Sequence, residues 1–460
     1  MRIDHLHVQN FRCFVEADFD FSPRFNLLVG INGSGKTSLL KAIVSAITTP
    51  FNWTQRGVVW PHAEEASARL ALIEMQGKIR FDRCYPVRLE ADGEVCGQPR
   101  SWWVAKDGPT SQPSWEHTIF SVISNEAAKI AQSGIGALPI AAFYSSERQW
   151  RLTGTSPEKA ATTQESRFDA YKSWSDAAQD MKGLETWIIA KSLERLEEVA
   201  NGQVGQDSRD DELSLVNLAI AQALEGAKGL RYDIKHRRLV LDWQIGDPAP
   251  FEALSDGQKA MCTLVADIAR RMCLLNPQLG SNVLKETPGI VLIDELDMHL
   301  HPAWQRRIAQ VLKGAFPKVQ FFAASHSPQI IGELPAHEIL LLRDGKMQGH
   351  PERAFGLDSS KVLEEVMGAP AQDAQVAAQL AEIRQALDDE RLGDARCHLD
   401  KLKNGEGTAL LVRLYAEIPG LDSRMPYRAH PASIQAFQQG KHRLPEHACL
   451  LSCRQWQSLM

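Results

Sequence analysis

The sequence predicts an α/β fold in which a parallel sheet carries a phosphate-binding loop. The glycine-rich segment 30–37, Gly-Ile-Asn-Gly-Ser-Gly-Lys-Thr, follows the apolar run 25–29 and precedes the helix-compatible stretch 38–47. Far downstream, the apolar runs 289–293 and 319–324 end in an Asp-Glu pair and a Ser-His pair. Continuous apolar runs are typical of strands buried on both faces, and parallel sheets bind ligands at their carboxyl edge.

The glycine-rich loop matches the pattern G-x-x-x-x-G-K-[ST]. Its glycines let the backbone wrap a phosphate chain with N–H groups pointing inward, and the dipole of the following helix adds to the attraction. We expect Lys36 to reach the β- and γ-phosphates and Thr37 to hold Mg²⁺. The sequence therefore predicts a site for ATP and Mg²⁺, with these nucleotide-binding residues: Asn32, Gly33, Ser34, Gly35, Lys36, Thr37 and Ser38.

Two carboxylates, Asp294 and Glu295, directly follow the apolar run 289–293. We expect Asp294 to lie behind the Mg²⁺ ion and Glu295 to polarise the water that attacks the γ-phosphate. A glutamate in that role distinguishes a hydrolysing ATPase from a passive nucleotide binder. Taken alone, however, an Asp-Glu pair after a strand is most often the start of a solvated loop.

Two short polar segments lie on either side of this pair. Residues 254–259, Leu-Ser-Asp-Gly-Gln-Lys, open an apolar-periodic helix over 260–275, and Ser-His-Ser-Pro follows the run 319–324. Taken alone, Ser255 is typical of a helix N-cap and His326 of a structural histidine. Their order along the chain, behind the phosphate loop and around the Asp-Glu pair, favours a nucleotide-binding role.

This order of motifs resembles the SMC-like and RecF-like branch of the ATP-binding cassette superfamily over residues 1 to 350. The resemblance implies an ABC/SMC-like P-loop NTPase head that dimerises head to tail with ATP between the subunits. Ser255 and Gly257 of one subunit would contact the γ-phosphate bound by the other, and His326 would sense that phosphate. Asp297 would couple the two composite sites, and Arg12, in an Asn-Phe-Arg-Cys-Phe motif, would approach the nucleotide. The residues expected to carry the chemistry are Glu295, His326 and Lys36.

Two features depart from the family pattern. Asp256 stands where transporter cassettes usually carry glycine, a variant found in the SMC-like branch. A glutamine that would complete the Mg²⁺ shell is left unassigned, because Gln98 and Gln149 are both candidates.

Composition restricts the class of protein. The chain has 460 residues, of which 44% are apolar, and a formal net charge of −6. No apolar run approaches the roughly 20 residues that cross a bilayer, and the N-terminus lacks a signal-peptide core, so we expect a cytoplasmic protein without membrane contact. The charge balance shows no excess of basic residues for duplex DNA, and the basic run 235–238 is interpreted as a solvated face.

The cysteines are scattered along the chain, which favours reduced thiols. One group of residues near the C-terminus has side chains that zinc could use, but its spacing matches no common zinc finger, and an ordinary solvated tail is favoured. The group consists of His442, His447, Cys449 and Cys453.

Four regions are predicted along the chain. Residues 1–150 hold the phosphate loop and a β-lobe, and residues 151–229 form a helical insert in the place of a coiled coil. The insert is expected to be short because its apolar periodicity lasts only two or three turns. Residues 230–350 complete the ATPase, and 351–460 form a helical region for partner or oligomer contact. The last region lacks the acidic pattern of a Toprim nuclease, so no nuclease activity is expected within this chain.

The compact insert, the segment 143–148, the run 294–302 and the helical C-terminal region together resemble the ATPase subunit of Septu anti-phage defence and its retron-associated relatives. The resemblance implies a homodimer or higher oligomer that controls a separate HNH endonuclease and meets DNA through that partner. Two alternatives stay open. One is a RecF-like repair ATPase that acts directly on DNA, and the other is a non-catalytic scaffold that only clamps ATP.

Overall fold

The structure, a computed structural model, describes residues 1–51, 67–75, 78–116, 119, 121–148, 154–163, 165–201 and 211–368, together with positions 381, 382, 385 and 389. Met1–Gly368 forms one unit and Ala369–Met460 a second. The second unit lies almost entirely outside the described residues, as do the predicted zinc candidates. The helical C-terminal region therefore stays a prediction.

Sixteen strands build the described part of the first unit, and their bounds are as follows. They are β1 (Arg2–Phe11), β2 (Phe14–Asp20), β3 (Phe25–Val29), β4 (Leu70–Met75), β5 (Lys78–Arg83), β6 (Val87–Val95), β7 (Gln98–Lys106), β8 (Ser114–Trp115), β9 (Ile140–Tyr144), β10 (Ala227–Asp233), β11 (Arg238–Trp243), β12 (Ala249–Pro250), β13 (Gly289–Ile293), β14 (Val319–Ala324), β15 (Ile339–Arg343) and β16 (Lys346–Gly349).

The helices in the same described residues vary from single turns to five or six turns. They are α1 (Lys36–Phe51), α2 (Val122–Ser133), α3 (Pro157–Thr162), α4 (Met181–Ala200), α5 (Glu212–Ala223), α6 (Asp256–Leu275), α7 (Val283–Glu286), α8 (Pro302–Ala315), α9 (Pro328–Ile331) and α10 (Ser359–Lys361). Short 3₁₀ helices at Arg167–Tyr171 and Trp174–Asp180 precede α4. Among the described residues, no helix has the length and apolar character needed to span a bilayer.

The central sheet has the strand order β16-β15-β3-β14-β13-β9. Its four pairings from β15 to β9 are parallel, and only β16 runs antiparallel, as an edge strand. Every residue of β3, β13, β14 and β9 is buried, as expected for a parallel sheet covered on both faces. The carboxyl ends of these four strands therefore meet at one edge, where the polar motifs follow them.

A second, antiparallel sheet with the order β2-β1-β6-β7-β8 forms the β-lobe. Strands β6 and β7 pair within this sheet, whereas in the described part of the chain β4 and β5 form a separate pair. The lobe also takes β1 and β2, because β1 pairs with both β2 and β6. The tip of β1 thereby comes to lie beside the phosphate loop, where Gly35 faces the Cys13 sulfur.

In the region predicted as a helical insert, the described residues form short helices followed by α4 and α5. Along α5 an apolar stripe at helical spacing is buried as a set, at 0 or 1% exposure for Leu213, Val216, Ile220 and the C-cap residue Leu224. On α4 the apolar side chains are only partly buried: Leu184 and Ile188 are 3% and 1% exposed, whereas Leu196 remains 48% exposed. Lys235 to Arg237, in the basic run 235–238, lie in the turn between β10 and β11.

A buried ionic network joins α6 to its surroundings. Asp267 accepts hydrogen bonds from the Tyr144 hydroxyl at 2.8 Å, from Arg271 Nε at 2.7 Å and from Arg270 Nη2 at 2.8 Å. Arg270 also reaches Asp180 at 2.5 Å, and Arg271 donates to two carbonyls of the insert at 2.6 and 2.9 Å. Helix α6 is thus tied both to the end of β9 and to the insert.

Candidate nucleotide site

A cavity of about 200 Å³ lies at the carboxyl edge of the central sheet. It brings together residues that are almost 300 positions apart in the chain, because β3, β13 and β14 end side by side. Its lining consists of Cys13, Asn32, Gly33, Gly35, Lys36, Thr37, Ser38, Asp294, Glu295, Ala324 and His326. Most of the predicted nucleotide-binding residues and all three predicted catalytic residues therefore line one cavity.

The loop between β3 and α1 has the backbone that a phosphate cradle requires. Gly33 and Gly35 have φ values of 82° and 108°, in the left-handed region that favours glycine. At Gly35 a Cβ atom would also come within 2.9 Å of the Cys13 sulfur. Ser34 is buried, and within the described residues its hydroxyl has no hydrogen-bond partner. An oxygen-rich ligand would supply that partner.

Lys36 is 8% exposed and its ammonium group donates to the carbonyls of Gly30 and Ile31, at 2.9 and 3.1 Å. Burial lowers the pKa of Lys36, while Asp294, Asp297 and Glu295 act in the opposite direction. The Lys36 side chain thus bends back onto its own phosphate loop, at the edge of the cavity. A bound phosphate would offer this ammonium a stronger acceptor than two neutral carbonyls.

Thr37 and Asp294 form the pair that fits a Mg²⁺ ion. The Thr37 hydroxyl donates to both carboxylate oxygens of Asp294, at 2.9 and 3.2 Å, and Asp294 is only 3% exposed. Magnesium in nucleotide sites keeps several waters and is held by one or two protein oxygens together with phosphate. A hydroxyl beside a buried carboxylate is therefore a suitable donor set. Among the described residues, no cluster of three or more His, Cys, Asp or Glu side chains offers an all-protein metal site.

Glu295 is exposed to the cavity and has a φ of 50°, which is uncommon for a residue with a side chain. Such a backbone conformation costs about 1–3 kcal/mol and persists only where surrounding contacts impose it. Here Arg148 donates to the carbonyl oxygens of both Asp294 and Glu295, the latter at 2.7 Å. The strained position directs a carboxylate into the cavity.

His326 stands at the end of β14 and lines the same cavity. Partial burial and the nearby Lys36 lower the pKa of His326, which favours a neutral imidazole at pH 7. Asp297 supports the turn that carries it, because its carboxylate accepts from the Ser325 hydroxyl at 2.5 Å and from the His326 N–H at 3.4 Å. In the single subunit, Asp297 therefore stabilises the turn that carries His326.

Ser255 is exposed and is the N-cap of α6. It forms a capping box with Gln258. In the isolated subunit Ser255 is therefore a helix N-cap, as its sequence context alone suggests. Its exposure nevertheless leaves the N-terminus of α6 accessible to another chain. Gly257 is buried, and a Cβ there would come within 2.6 Å of the His299 carbonyl, so this glycine allows close packing of α6.

Arg12 lies beside the cavity rather than in its lining. It has a φ of 53°, and its Nε atom is buried without a hydrogen-bond partner among the described residues. Burial lowers the pKa of Arg12. Gln98 begins β7 in the β-lobe and does not line the cavity, whereas Gln149 lies outside the described residues.

Two residues of the site were not singled out from the sequence. Cys13 lines the cavity next to Gly35, and Arg148 holds the backbone at Asp294 and Glu295. The available signals were weak: Cys13 follows Arg12 in the N-terminal motif, and Arg148 ends a polar segment after the buried strand β9.

Comparisons with known proteins agree with this geometry. Residues 5–226 match a family described as an AAA domain. Residues 144–332 match a second AAA-domain family, whose description refers to the AbiEii toxin and type IV toxin–antitoxin systems. Between them the two matches include the phosphate loop, the polar segment 254–259, the carboxylates Asp294 and Glu295, and His326. The fold, the site and these matches together resemble those of P-loop ATPases of the SMC- and RecF-like kind.

Its relatives by sequence include proteins named as retron ATPases, Septu proteins and RecF proteins. The chain is 27% identical to "Retron Ec83 probable ATPase" from Escherichia coli over 446 residues, which cover 81% of this chain and 78% of that protein. It is 28% identical to "Septu protein PtuA" from Bacillus thuringiensis over 149 residues, or 30% of this chain and 38% of that one. Among solved structures, an SMC head bound to a winged-helix domain of ScpA matches 75% of this chain and 96% of its own, with 15% identity and a TM-score of 0.42.

Proposed function

We propose that this chain hydrolyses ATP, with Mg²⁺, at composite sites between two copies arranged head to tail, as the ATPase subunit of an anti-phage defence complex. The observation that carries the proposal is the convergence of Lys36, Thr37, Asp294 and Glu295 on one cavity. Lys36 supplies a cation that binds phosphate, and Thr37 and Asp294 supply oxygen ligands for a divalent ion. Glu295 supplies a carboxylate that can polarise a water molecule.

Each residue has a distinct task in this proposal. Lys36 leaves its two carbonyl acceptors and neutralises the β- and γ-phosphates, and Thr37 and Asp294 hold Mg²⁺. When bound, Mg²⁺ offsets charge that develops on the phosphate oxygens. Glu295 orients and polarises the attacking water, and the neutral His326 donates a hydrogen bond toward the γ-phosphate.

Within one subunit, no part of α6 faces the phosphate-binding cavity from its open side. The described cavity is open and presents no group of α6 among its lining residues. Ser255, in contrast, is exposed at the start of α6, where backbone N–H groups and the helix dipole attract anions. A second copy would therefore supply the N-terminus of α6 to the γ-phosphate held by the first.

A complementation experiment tests the composite site. Lys36→Ala removes the phosphate cation, and Ser255→Arg places a bulky side chain at the proposed contact. Each variant alone should lose at least about 99% of its turnover, on the scale of lost transition-state contacts. In a mixture, a heterodimer of the two variants contains one intact composite site, so turnover should recover to about a quarter of the wild-type rate by random pairing of equal amounts.

Size-exclusion chromatography and circular dichroism would show that both variants fold before they are mixed. A mixture that stays as inactive as its components would contradict the head-to-tail arrangement. Undiminished turnover by the Ser255→Arg variant alone would contradict it as well.

We further propose that a separate HNH endonuclease binds this ATPase and makes the contact with DNA. Similarity to a Septu protein and the net charge of −6 support this assignment over direct DNA binding. Affinity purification of the tagged chain from its own host should retain a small HNH protein, and that complex should cleave DNA while the isolated chain does not. Tight, steeply salt-dependent binding of plain duplex by the isolated chain would instead favour the repair ATPase.

A further inference from the structure

We propose that Arg148 is a positioning residue that sets the backbone of Glu295 and thereby aims its carboxylate at the attacking water. This inference rests on the proposed ATPase function. Arg148 follows β9, and β9 pairs with β13, the strand that leads into Asp294 and Glu295. The pairing brings Arg148 next to residues about 146 positions away in the chain.

The guanidinium group of Arg148 binds backbone oxygens on both sides of this junction. Nη1 donates to the carbonyls of Asp294 and Ser145, the latter at 3.1 Å, and Nη2 donates to the carbonyl of Glu295 at 2.7 Å. The planar fork of an arginine fixes the direction of two hydrogen bonds at once. Two consecutive carbonyls held by one rigid group leave little freedom for the peptide between them.

Glu295 needs such a constraint. Its φ of 50° lies in a region that a glutamate rarely adopts, and relaxation to ordinary backbone angles would turn its carboxylate away from the cavity. Asp294 is held independently by its N–H bond to the Tyr144 carbonyl at 2.9 Å and by Thr37. Arg148 therefore controls the catalytic carboxylate more directly than the metal-binding one.

The electrostatic setting also indicates a role beyond packing. Arg148 is 7% exposed, and no carboxylate among the described residues lies within ion-pair distance of it. Burial lowers its pKa to about 10, and only the fields of Asp294, Glu295 and Asp297 oppose that shift. A neutral side chain would cost less to bury here, since desolvating a cation is expensive.

The test compares Arg148→Gln with a matched control, Arg167→Gln. Arg167 also donates to a backbone carbonyl, that of Leu275, at 2.6 and 3.1 Å, and to the Gln278 side chain at 3.0 Å, but it does not line the cavity. Arg148→Gln should lower kcat by about 100-fold, the effect of a misplacement near 1 Å, with the KM for ATP changed less than about threefold. Arg148→Lys, which keeps the charge but not the fork, should recover part of kcat. Arg167→Gln should leave kcat within about twofold of the wild type.

A double variant separates positioning from a general structural role. If Arg148 acts through Glu295, then Arg148→Gln together with Glu295→Gln should turn over no more slowly than Glu295→Gln alone. Additive losses, a large rise in KM or a wild-type kcat for Arg148→Gln would overturn the inference. A wild-type rate for Glu295→Gln would instead overturn the proposed function, so the two failures are distinguishable. Melting temperatures of all variants would identify any that fail to fold.

Discussion

Replacing Glu295 by glutamine should reduce ATP turnover by about 100- to 10,000-fold, the usual contribution of a general base, while ATP still binds. Glutamine has nearly the same shape and can occupy the same left-handed backbone, but it cannot accept a proton from water. Because Lys36, Thr37 and Asp294 are untouched, nucleotide affinity should stay within about threefold of the wild type. Steady-state phosphate release and binding of a fluorescent ATP analogue would measure the two effects.

The same substitution should also trap a dimer when Mg²⁺ and ATP are present, because the closed composite site is no longer emptied. Light scattering coupled to size-exclusion chromatography would detect it. Glu198→Gln is a suitable control, since Glu198 is exposed on α4 and does not line the cavity. Equal turnover in the Glu295 and Glu198 variants would show that the chain only clamps nucleotide.

Replacing Lys36 by alanine should abolish nucleotide binding at ordinary ATP concentrations. The ammonium group would contribute two or more charge-assisted hydrogen bonds to phosphate, each about 1.5–3 kcal/mol, so the dissociation constant should rise by about 100-fold or more. The folded chain without nucleotide should not be weakened much, because burial already disfavours the charged form of Lys36. Isothermal titration with ATP and Mg²⁺ would give the affinity.

Thermal unfolding provides an independent measurement for this variant. The wild type should gain melting temperature as ATP is added, since a ligand that binds only the folded state stabilises it, and Lys36→Ala should not. Lys129→Ala on α2 is the control, because Lys129 is 73% exposed and does not line the cavity. An ATP-dependent shift of wild-type size in Lys36→Ala would exclude this residue from phosphate binding.

The strands that carry the site could be predicted from the sequence because their signals are local. The predicted runs 25–29, 289–293 and 319–324 coincide with β3, β13 and β14. Helix α6 was expected from residue 260 but begins at Asp256, because Ser255 and Gln258 form a capping box that extends the helix by one turn. That box is visible in the sequence as Ser-x-x-Gln.

Contacts between distant segments could not be predicted in the same way. The role of Arg148 depends on β9 lying beside β13, and the place of Cys13 depends on the tip of β1 packing against the phosphate loop. Strand order within a sheet is set by packing of the whole core rather than by the residues of any one strand. The sequence motifs predict which residues carry the chemistry, whereas the residues that position them, such as Arg148, become apparent only in the folded chain.

The charged network around Asp267 has a mechanical consequence for the ATPase. Pulling α6 away from the insert would separate Arg270 from Asp180 and Arg271 from the carbonyls of Ala170 and Lys172. Breaking a buried ion pair of this kind costs about 3–5 kcal/mol. If two copies close on ATP as proposed, any tilt of α6 would therefore move the insert together with it. A movement that starts at the bound triphosphate would thus reach the outer surface of the insert, where it could change the contacts of a bound partner protein.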